Sequence, residues 1–491
     1  MTSPATEWER GGGFKGVGFQ GNQGYSFDIP DYTEEILDLK AGKDHKEIIL
    51  KLIEKHKPHR NRMLMNYQRY KTDAQGVPIF HREFERDVTI DNRINVDYFS
   101  EIVNTKTGYF AGKPASYAYD KSQPEFESAN DLLADLLERN EISDINMETT
   151  KYCAIAGYAG RLLYLEPVEG RERIKYLPGH QVILLNEEGN IVETEYAIRY
   201  YGQEGKYIIH FYDKTMRYKY QQDGDDLKLL ESAIHGFALC PLFGYANNDE
   251  LMGDADKVLN NIDAYDRTIS DVNSEIEAFR LAYLLILGAN VAQDAITGMK
   301  KTGALNLKTV GGGQADARFL EKNLNDTAIE NHLDRLHSAI YRGSATPDLS
   351  DEAFAGTQSG EAMKFKLIGL DTKCSSFEMK FKSSDKRMFR VVSTKWEVEN
   401  KTFNPYKVFS DFKRNFPRNM LNEADVLTKL KGSVSEATRL GTATFIDDVQ
   451  YEIDEMKKEE LEQLEILLAQ QNKLNEDQTN NPTPPEPKGN E

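Results

Sequence analysis

The chain has 491 residues and a formal net charge of −19, from 61 Lys and Arg against 80 Asp and Glu. That length can bury the cores of roughly two to four domains, and the acidic balance argues against a protein that coats nucleic acid by neutralising phosphates, though not against one that lets nucleic acid pass. Cys153, Cys240 and Cys374 lie far apart with no CxxC pair, so neither a disulfide framework nor a zinc site is expected, and synthesis in a reducing cytosol fits.

Residues 1–30 read as a flexible N-terminal arm. Within it GVGFQG (Gly16, Gly18, Gly21) matches the dinucleotide fingerprint, but Met1–Lys15 supplies no strand ahead of it. The arm has charge and glycine where an export signal would be apolar. The most apolar run, Leu281–Leu287, is far shorter than the ~20 residues of a membrane span, so a soluble chain without membrane contact is expected. Helical spacing follows from Tyr32 to Tyr70. HKPH (His56, His59) sits near its middle, with Pro58 between the two His and no acidic or Cys partner at ligand spacing. It reads as an exposed helix junction rather than a metal site.

Gly160 to Asn248 alternates apolar and polar residues between Gly, Asn and Asp turns, which predicts an antiparallel β meander. The acids of QQDGDD (Asp223, Asp225, Asp226) lack the spacing and terminal Glu of a calcium loop, so a hairpin turn is expected.

Then the period changes. Val258, Ile262, Tyr265, Ile269, Val272, Ile276, Phe279 and Tyr283 recur at steps of four and three, on a helix expected from Met252 to Ile286. Asp254, Asp256, Asp263, Asp266, Asp271, Glu275 and Glu277 occupy its other faces and are expected to face water. Periodicity leaves open whether the apolar line packs within the chain or against another copy. Gly288–Asn325 reads as a small inserted lobe with a turn at Gly311–Gly313. A second helix has Thr327 and Glu330 at capping-box spacing and the stripe Ile329, Leu333, Leu336, Ile340, ending at Gly343 and Pro347. Two striped helices around one lobe describe a stalk with a tip.

TPDLSDEAFAGTQSG (Thr346–Gly360) is non-periodic and rich in turn formers. Its Asp348, Ser350, Asp351 and Ser359 lack an oriented base, since no histidine follows His337, so catalysis is not expected there. Met363, Leu367, Leu370, Cys374, Phe377, Phe381, Met388 and Val391 then mark a helix that reaches Glu399, ~60 Å at ~1.5 Å per residue. From Gln358 to Trp396 there are nine bases against four acids. A solvated charged face explains that surplus, and so does a helix facing an anion.

DEAFAGTQSGEAMKFKLIGLDTK resembles the loop-and-helix signature of the portal proteins, the head-tail connectors of long-tailed double-stranded DNA bacteriophages, particularly those of Gram-positive hosts. NRINVDYFSEIVNTKTGYFAGKPASY (Asn92–Tyr117, with Gly108, Gly112, Lys113 and Pro114) is similar to their N-terminal motif. CPLFGYANNDELMGDADKVLNNIDAYDRTISD (Cys240–Asp271) is similar to the lead-in to their first stalk helix. The resemblance covers roughly Tyr67–Glu455 and leaves out the arm, the 288–325 lobe and the Pro-rich tail.

The resemblance implies an α+β, mainly helical fold with wing, stem, clip and crown, in a ring of about twelve copies around a central channel. Carried over, residues 31–250 are wing, 251–287 stem helix one, 288–325 clip and 326–344 stem helix two. Residues 345–357 are the tunnel loop, 358–400 the long helix toward the crown, 401–417 a wing strand, 418–470 crown helices and 471–491 a disordered tail. Thr346, Pro347, Asp348, Leu349, Ser350, Asp351, Glu352, Phe354, Gly356 and Thr357 would face the channel, with Lys364, Lys366 and Lys373 as basic residues able to meet DNA. Val258, Ile262, Tyr265, Ile269, Val272, Ile276, Phe279, Leu333, Leu336 and Ile340 would pack subunits in the stem. Implied partners are the terminase large subunit, the major capsid and scaffolding proteins, a head-tail adaptor at the clip and the passing double-stranded DNA. The implied place is the portal vertex of the virion, after assembly in the host cytoplasm.

An acidic conduit fits such passage, because a deep binding well would stall a moving duplex. No GxxxxGK[ST] occurs: Gly42-Lys43, Gly112-Lys113 and Gly205-Lys206 are followed by Asp, Pro and Tyr. ATP hydrolysis is therefore expected from a docked motor. No enzymatic activity, cofactor or metal is expected. The alternative reading is a ring-forming head-tail adaptor or assembly scaffold that carries no DNA.

Overall fold

Burial of charge, more than of apolar surface, sets this fold apart from the sequence expectation. The computed structural model describes residues 30–72, 92–279, 284–287, 316–319, 326–349, 360–415, 420–443, 446 and 449–479. It divides into two units, Met1–Asp351 with Lys366–Asn415, and Glu352–Phe365 with Phe416–Glu491.

The first unit opens with α1 (Thr33–Lys40) and α2 (His45–Tyr70). Asp44 caps α2 by accepting from the Lys46 amide at 3.1 Å, satisfying one orphan donor of its first turn. The helix runs through Pro58 without a junction, and His56 and His59 are buried rather than exposed. Two tyrosines explain the burial of His56. Tyr158 Oη is committed to the Val182 carbonyl at 3.0 Å, so it accepts from His56 Nε2 at 3.3 Å, and His56 Nδ1 then accepts from Tyr200 Oη at 2.8 Å.

Next come α3 (Tyr98–Ala111), β1 (Ser116–Tyr119), α4 (Phe126–Arg139) and α5 (Ile142–Ala156). The β region is two antiparallel sheets rather than one meander. β2 (Tyr158–Leu165) is central to a three-stranded sheet between β3 (Glu172–Pro178) and β9 (Leu242–Ala246). The five-stranded meander is β4 (Val182–Leu185), β5 (Tyr196–Gln203), β6 (Lys206–Tyr212), β7 (Met216–Asp223) and β8 (Asp226–Ile234). Alternation cannot show that β9 returns to pair with β2, because pairing partners are not written in the period. The β7–β8 turn is the expected hairpin: Asp223 and Asp226 face each other, and Gly224 takes φ +61°, as such short turns require. Gly157 (φ +94°) ends α5, where a Cβ would lie 1.9 Å from the Leu251 carbonyl oxygen. Only glycine lets these backbones cross.

A 3-10 turn, Asp256–Val258, leads into α6 (Leu259–Phe279). This helix is shorter than expected, since Leu284–Leu287 forms β10, paired antiparallel with β11 (Asp316–Phe319). The rest of the 288–325 lobe lies outside the described residues. α7 (Asp326–Ser344) and the 39-residue α8 (Gly360–Val398) follow. β12 (Val408–Asp411) then pairs with β1. α8 is bolted to the sheets by buried polar contacts. Asp385 accepts from Tyr245 Oη at 2.7 Å and Tyr117 Oη at 3.0 Å, with Arg161 at 3.4 Å, and Trp396 Nε1 donates to Glu172 at 3.0 Å.

Two apolar cores result. One joins Met63 of α2 to α3, α5, β2, β9, the start of α6 and Ile340 and Tyr341 of α7. The other packs α1 and the first half of α2 onto the meander. The second unit contains α9 (Met420–Leu430), α10 (Glu436–Gly441) and α11 (Val449–Thr479). α11 runs past residue 470, where a disordered tail was expected, because QNKLNEDQT holds no Gly or Pro and the first proline comes at Pro482. Among the described residues no helix is long and apolar enough to cross a membrane.

Candidate functional site

Among the described residues, a dense set of buried polar contacts lies at the corner where α7 ends, the 345–357 segment begins and α8 passes. Its foundation is α6 and the turn that leads into it. Asp254, Asp256, Asp263 and Asp266 were expected to face water, and all four are buried. α2 supplies the reason. Asp256 Oδ2 lies 3.2 Å from Arg62 Nη1, its Oδ1 accepts from Asn66 at 2.7 Å, and Asp263 takes both Arg69 guanidinium nitrogens at 2.8 and 3.1 Å. Arg62 and Arg69 are seven apart, nearly two turns along one face of α2, and Asp256 and Asp263, also seven apart on the turn and first part of α6, meet them in register. Burial pushes the Asp256 and Asp263 carboxyls upward, against the pull of the two arginines.

An extended strap lies along another face of α6. The amides of Asn92, Ile94 and Val96 donate to Ser274 Oγ at 3.1 Å, Ser270 Oγ at 2.9 Å and Asp266 Oδ1 at 2.9 Å. Two extended residues advance ~6.7 Å and four helical residues ~6 Å, so acceptors every fourth position satisfy every second amide. Burial holds Asp266 up at about 7, with the Val96 amide pulling the other way.

Asp254 is the node nearest the loop. Lys106 of α3 and Lys373 of α8 each place Nζ 3.1 Å from its carboxylate, and Asn247 Nδ2 donates to it at 3.1 Å. Burial opposes its ionisation, but the two lysines outweigh it and hold the carboxyl below its ordinary range. Lys373 also donates to the Ser344 carbonyl at 3.0 Å, tying α8 to the last residue of α7.

The end of α7 is a Schellman cap. Ala345 sits at φ +53°, its amide donates to the Arg342 carbonyl at 3.3 Å, and the Thr346 amide donates to the Tyr341 carbonyl at 3.1 Å. Two residues on, Asp348 Oδ2 lies 2.8 Å from His337 Nε2, and His337 Nδ1 is 2.8 Å from Tyr98 Oη.

This chain matches the family model described as "Phage portal protein, SPP1 Gp6-like" over residues 49–465. The chain belongs to that portal family. It is similar to the portal protein of Bacillus phage SPP1, 22% identical over 469 residues covering 87% of this chain and 90% of that one. The portal protein of Clostridium phage phiCD119 is 24% identical over 432 residues, covering 83% of this chain and 92% of the relative.

Within this portal-family chain the residues expected in a tunnel loop fall into two groups. Thr346 is buried, Pro347 and Asp348 are half-buried, and Leu349 is exposed. Ser350, Asp351, Glu352, Phe354, Gly356 and Thr357 lie outside the described residues. Of the expected stem positions, Val258, Ile262, Leu333 and Ile340 are buried. Tyr265, Ile269, Val272 and Leu336 are half-buried and Ile276 is 53% exposed. The side chain of Phe279 lies outside the described ones. At its base, then, the α6 stripe packs within the chain.

The basic surplus of α8 resolves mostly into ion pairs. Lys373, Lys380, Lys382, Arg387, Arg390 and Lys395 meet Asp254, Asp249, Glu378, Glu193, Glu193 and Glu172 respectively. Lys366 is half-buried, and the side chain of Lys364 lies outside the described ones. Sequence reasoning missed Lys106, Arg62, Arg69, Tyr98 and the structural part of His337. The seven-residue spacing shared by the Arg and Asp pairs was the available signal. Among the described residues no His, Cys, Asp and Glu group could hold a metal ion.

Proposed function

We propose that this chain is the subunit of a phage portal. About twelve copies form a channel at one capsid vertex. A terminase motor packages double-stranded DNA through it, and the genome later leaves by the same route. The ring also serves as the head-tail joining platform, with the 288–325 lobe as the clip that meets the tail adaptor, residues 31–250 as wing and 418–470 as crown. The observation that carries this reading is the family match over residues 49–465, which spans the loop between α7 and α8. Exposed apolar side chains support a subunit that packs against copies of itself: Phe365, Ile368 and Met379 on α8, and Leu461, Leu464 and Ile466 on α11, are each more than half exposed.

Residues 345–357 are the tunnel loop in this reading, tipped with Asp351 and Glu352. Small and acidic residues touch a passing backbone without gripping it, because every neutralised phosphate deepens the binding well. Lys364 and Lys366, at the start of α8, offer shallow contacts, while Lys373 holds the loop's foundation. Negative-stain images of the purified protein should show rings with an open centre, and a monomer at high concentration would refute the proposal. Changing Asp351 and Glu352 together to lysine should slow or block packaging by rings that still assemble, and normal packaging would count against the loop's role.

A further inference from the structure

The His337 imidazole is held at both nitrogens, by Tyr98 at 2.8 Å and by Asp348 at 2.8 Å. Two tyrosines from two helices pack against it. The Tyr341 ring is 4.8 Å away and the Tyr98 ring 5.8 Å, both edge-on, and Tyr98 in turn meets Tyr265 at 5.1 Å. Glu101 of α3 accepts from Tyr341 Oη at 2.7 Å, so both aromatic neighbours on α3 and α7 are fixed by hydrogen bonds. A histidine caged this way has one orientation, and its Nε2 points at the segment leaving the helix.

That segment is pinned twice before it departs. The Schellman cap holds Thr346, and His337 holds Asp348, which sits four residues beyond the last helical residue. We propose that His337 is a positioning residue for the tunnel loop. Together with Tyr98 it fixes Asp348, four residues past the end of α7, as the anchor at the start of that loop. The proposal rests on reading residues 345–357 as that loop.

The test is hydrogen exchange on assembled rings, reading the amides of 348–352, beside packaging by the same rings. The contact is partly exposed, with side-chain exposures of 34% and 26%, so His337→Ala should raise exchange there by about three- to tenfold. His337→Gln, whose amide nitrogen can still donate to Asp348, should restore most of the protection, which a loss of packing alone would not allow. His337→Ala/Asp348→Ala should exchange no faster than either single variant. Unchanged exchange in His337→Ala, or additive effects in the double variant, would overturn the tether. Faster exchange with normal packaging would leave the tether standing and refute the loop's part in translocation instead.

Discussion

Asp254→Asn keeps the side chain's shape and removes the carboxylate that both Lys106 and Lys373 touch at 3.1 Å. Breaking a buried pair costs ~3–5 kcal/mol, because the charge left behind stays out of water. Lys106 has that problem in full, at 1% side-chain exposure, whereas Lys373, at 21%, can turn partly to solvent. Lys373→Met leaves the Lys106–Asp254 pair intact and should cost only ~1–2 kcal/mol, chiefly the lost contact to Ser344. Each kcal/mol moves the melting midpoint of a unit this large by roughly 2 °C, so the two variants should separate by several degrees in circular-dichroism melts at neutral pH. Adding Lys106→Met to Asp254→Asn should recover part of the loss, since it removes the stranded ammonium. Asp254→Asn melting at or above Lys373→Met would refute the idea that this node is an ion-pair foundation. Wild-type stability with failed packaging in Lys373→Met would return that lysine to the DNA-facing group.

Gly343→Ala would place a Cβ 2.6 Å from Val258 Cγ1, and Val258 is 1% exposed, so the variant should lose ~1–3 kcal/mol by overpacking, read as a lower melting midpoint. The first unit should be acid-sensitive. Burial holds His59 down at about 3, His180 at about 4 and His56 well below its ordinary 6.5. The unfolded chain therefore takes up protons first, and stability, complete above pH ~6.5, falls as pH drops toward 3, by up to ~1.4 kcal/mol per unit per histidine. Asp266, raised to about 7 by burial, acts oppositely and loses its contribution as pH rises through that value. Melts between about pH 8 and 4.5 should level off from neutrality upward and fall on the acidic side, and a flat acidic limb would refute the histidine account.

How much of this was legible depended on distance along the chain. The helical character of Tyr32–Tyr70, the β7–β8 hairpin and the span of α8 follow from local period and turn chemistry and emerged almost where expected, whereas the junction expected at HKPH is interior to α2. The polar seam did not, because Asp256 is acidic and solvent-seeking until Arg62, 194 residues earlier, is placed beside it. The same holds for His56, whose burial needs Tyr158 and Tyr200. For the loop corner, the end of α7 near Gly343 and Pro347 was readable. The left-handed Ala345 was not, since glycine is the usual signal for that cap.

The seam also relocates the acidic character of the molecule. Asp254, Asp256, Asp263 and Asp266 are buried with Arg62, Arg69, Lys106 and Lys373, four acids against four bases, so they contribute almost nothing to the field outside. In the proposed channel an acidic guide for DNA is therefore built from residues other than these four. α11 is the strongest candidate by composition: Val449–Thr479 carries nine acids and three lysines, a net of −6 out of the chain's −19. Glu459, Glu460, Glu462 and Glu465 are all exposed. Changing these four to glutamine removes repulsion that acts over a Debye length of ~10 Å at 0.1 M salt. Assembled variant rings should retain duplex DNA more strongly than wild type at low salt, and the difference should vanish as salt rises toward about 0.5 M. Filter binding or single-ring retention times measure this directly. Equal retention at every salt concentration would mean that like-charge repulsion from α11 does not guide the duplex, and the loop's own acids would then carry the slippery contact alone.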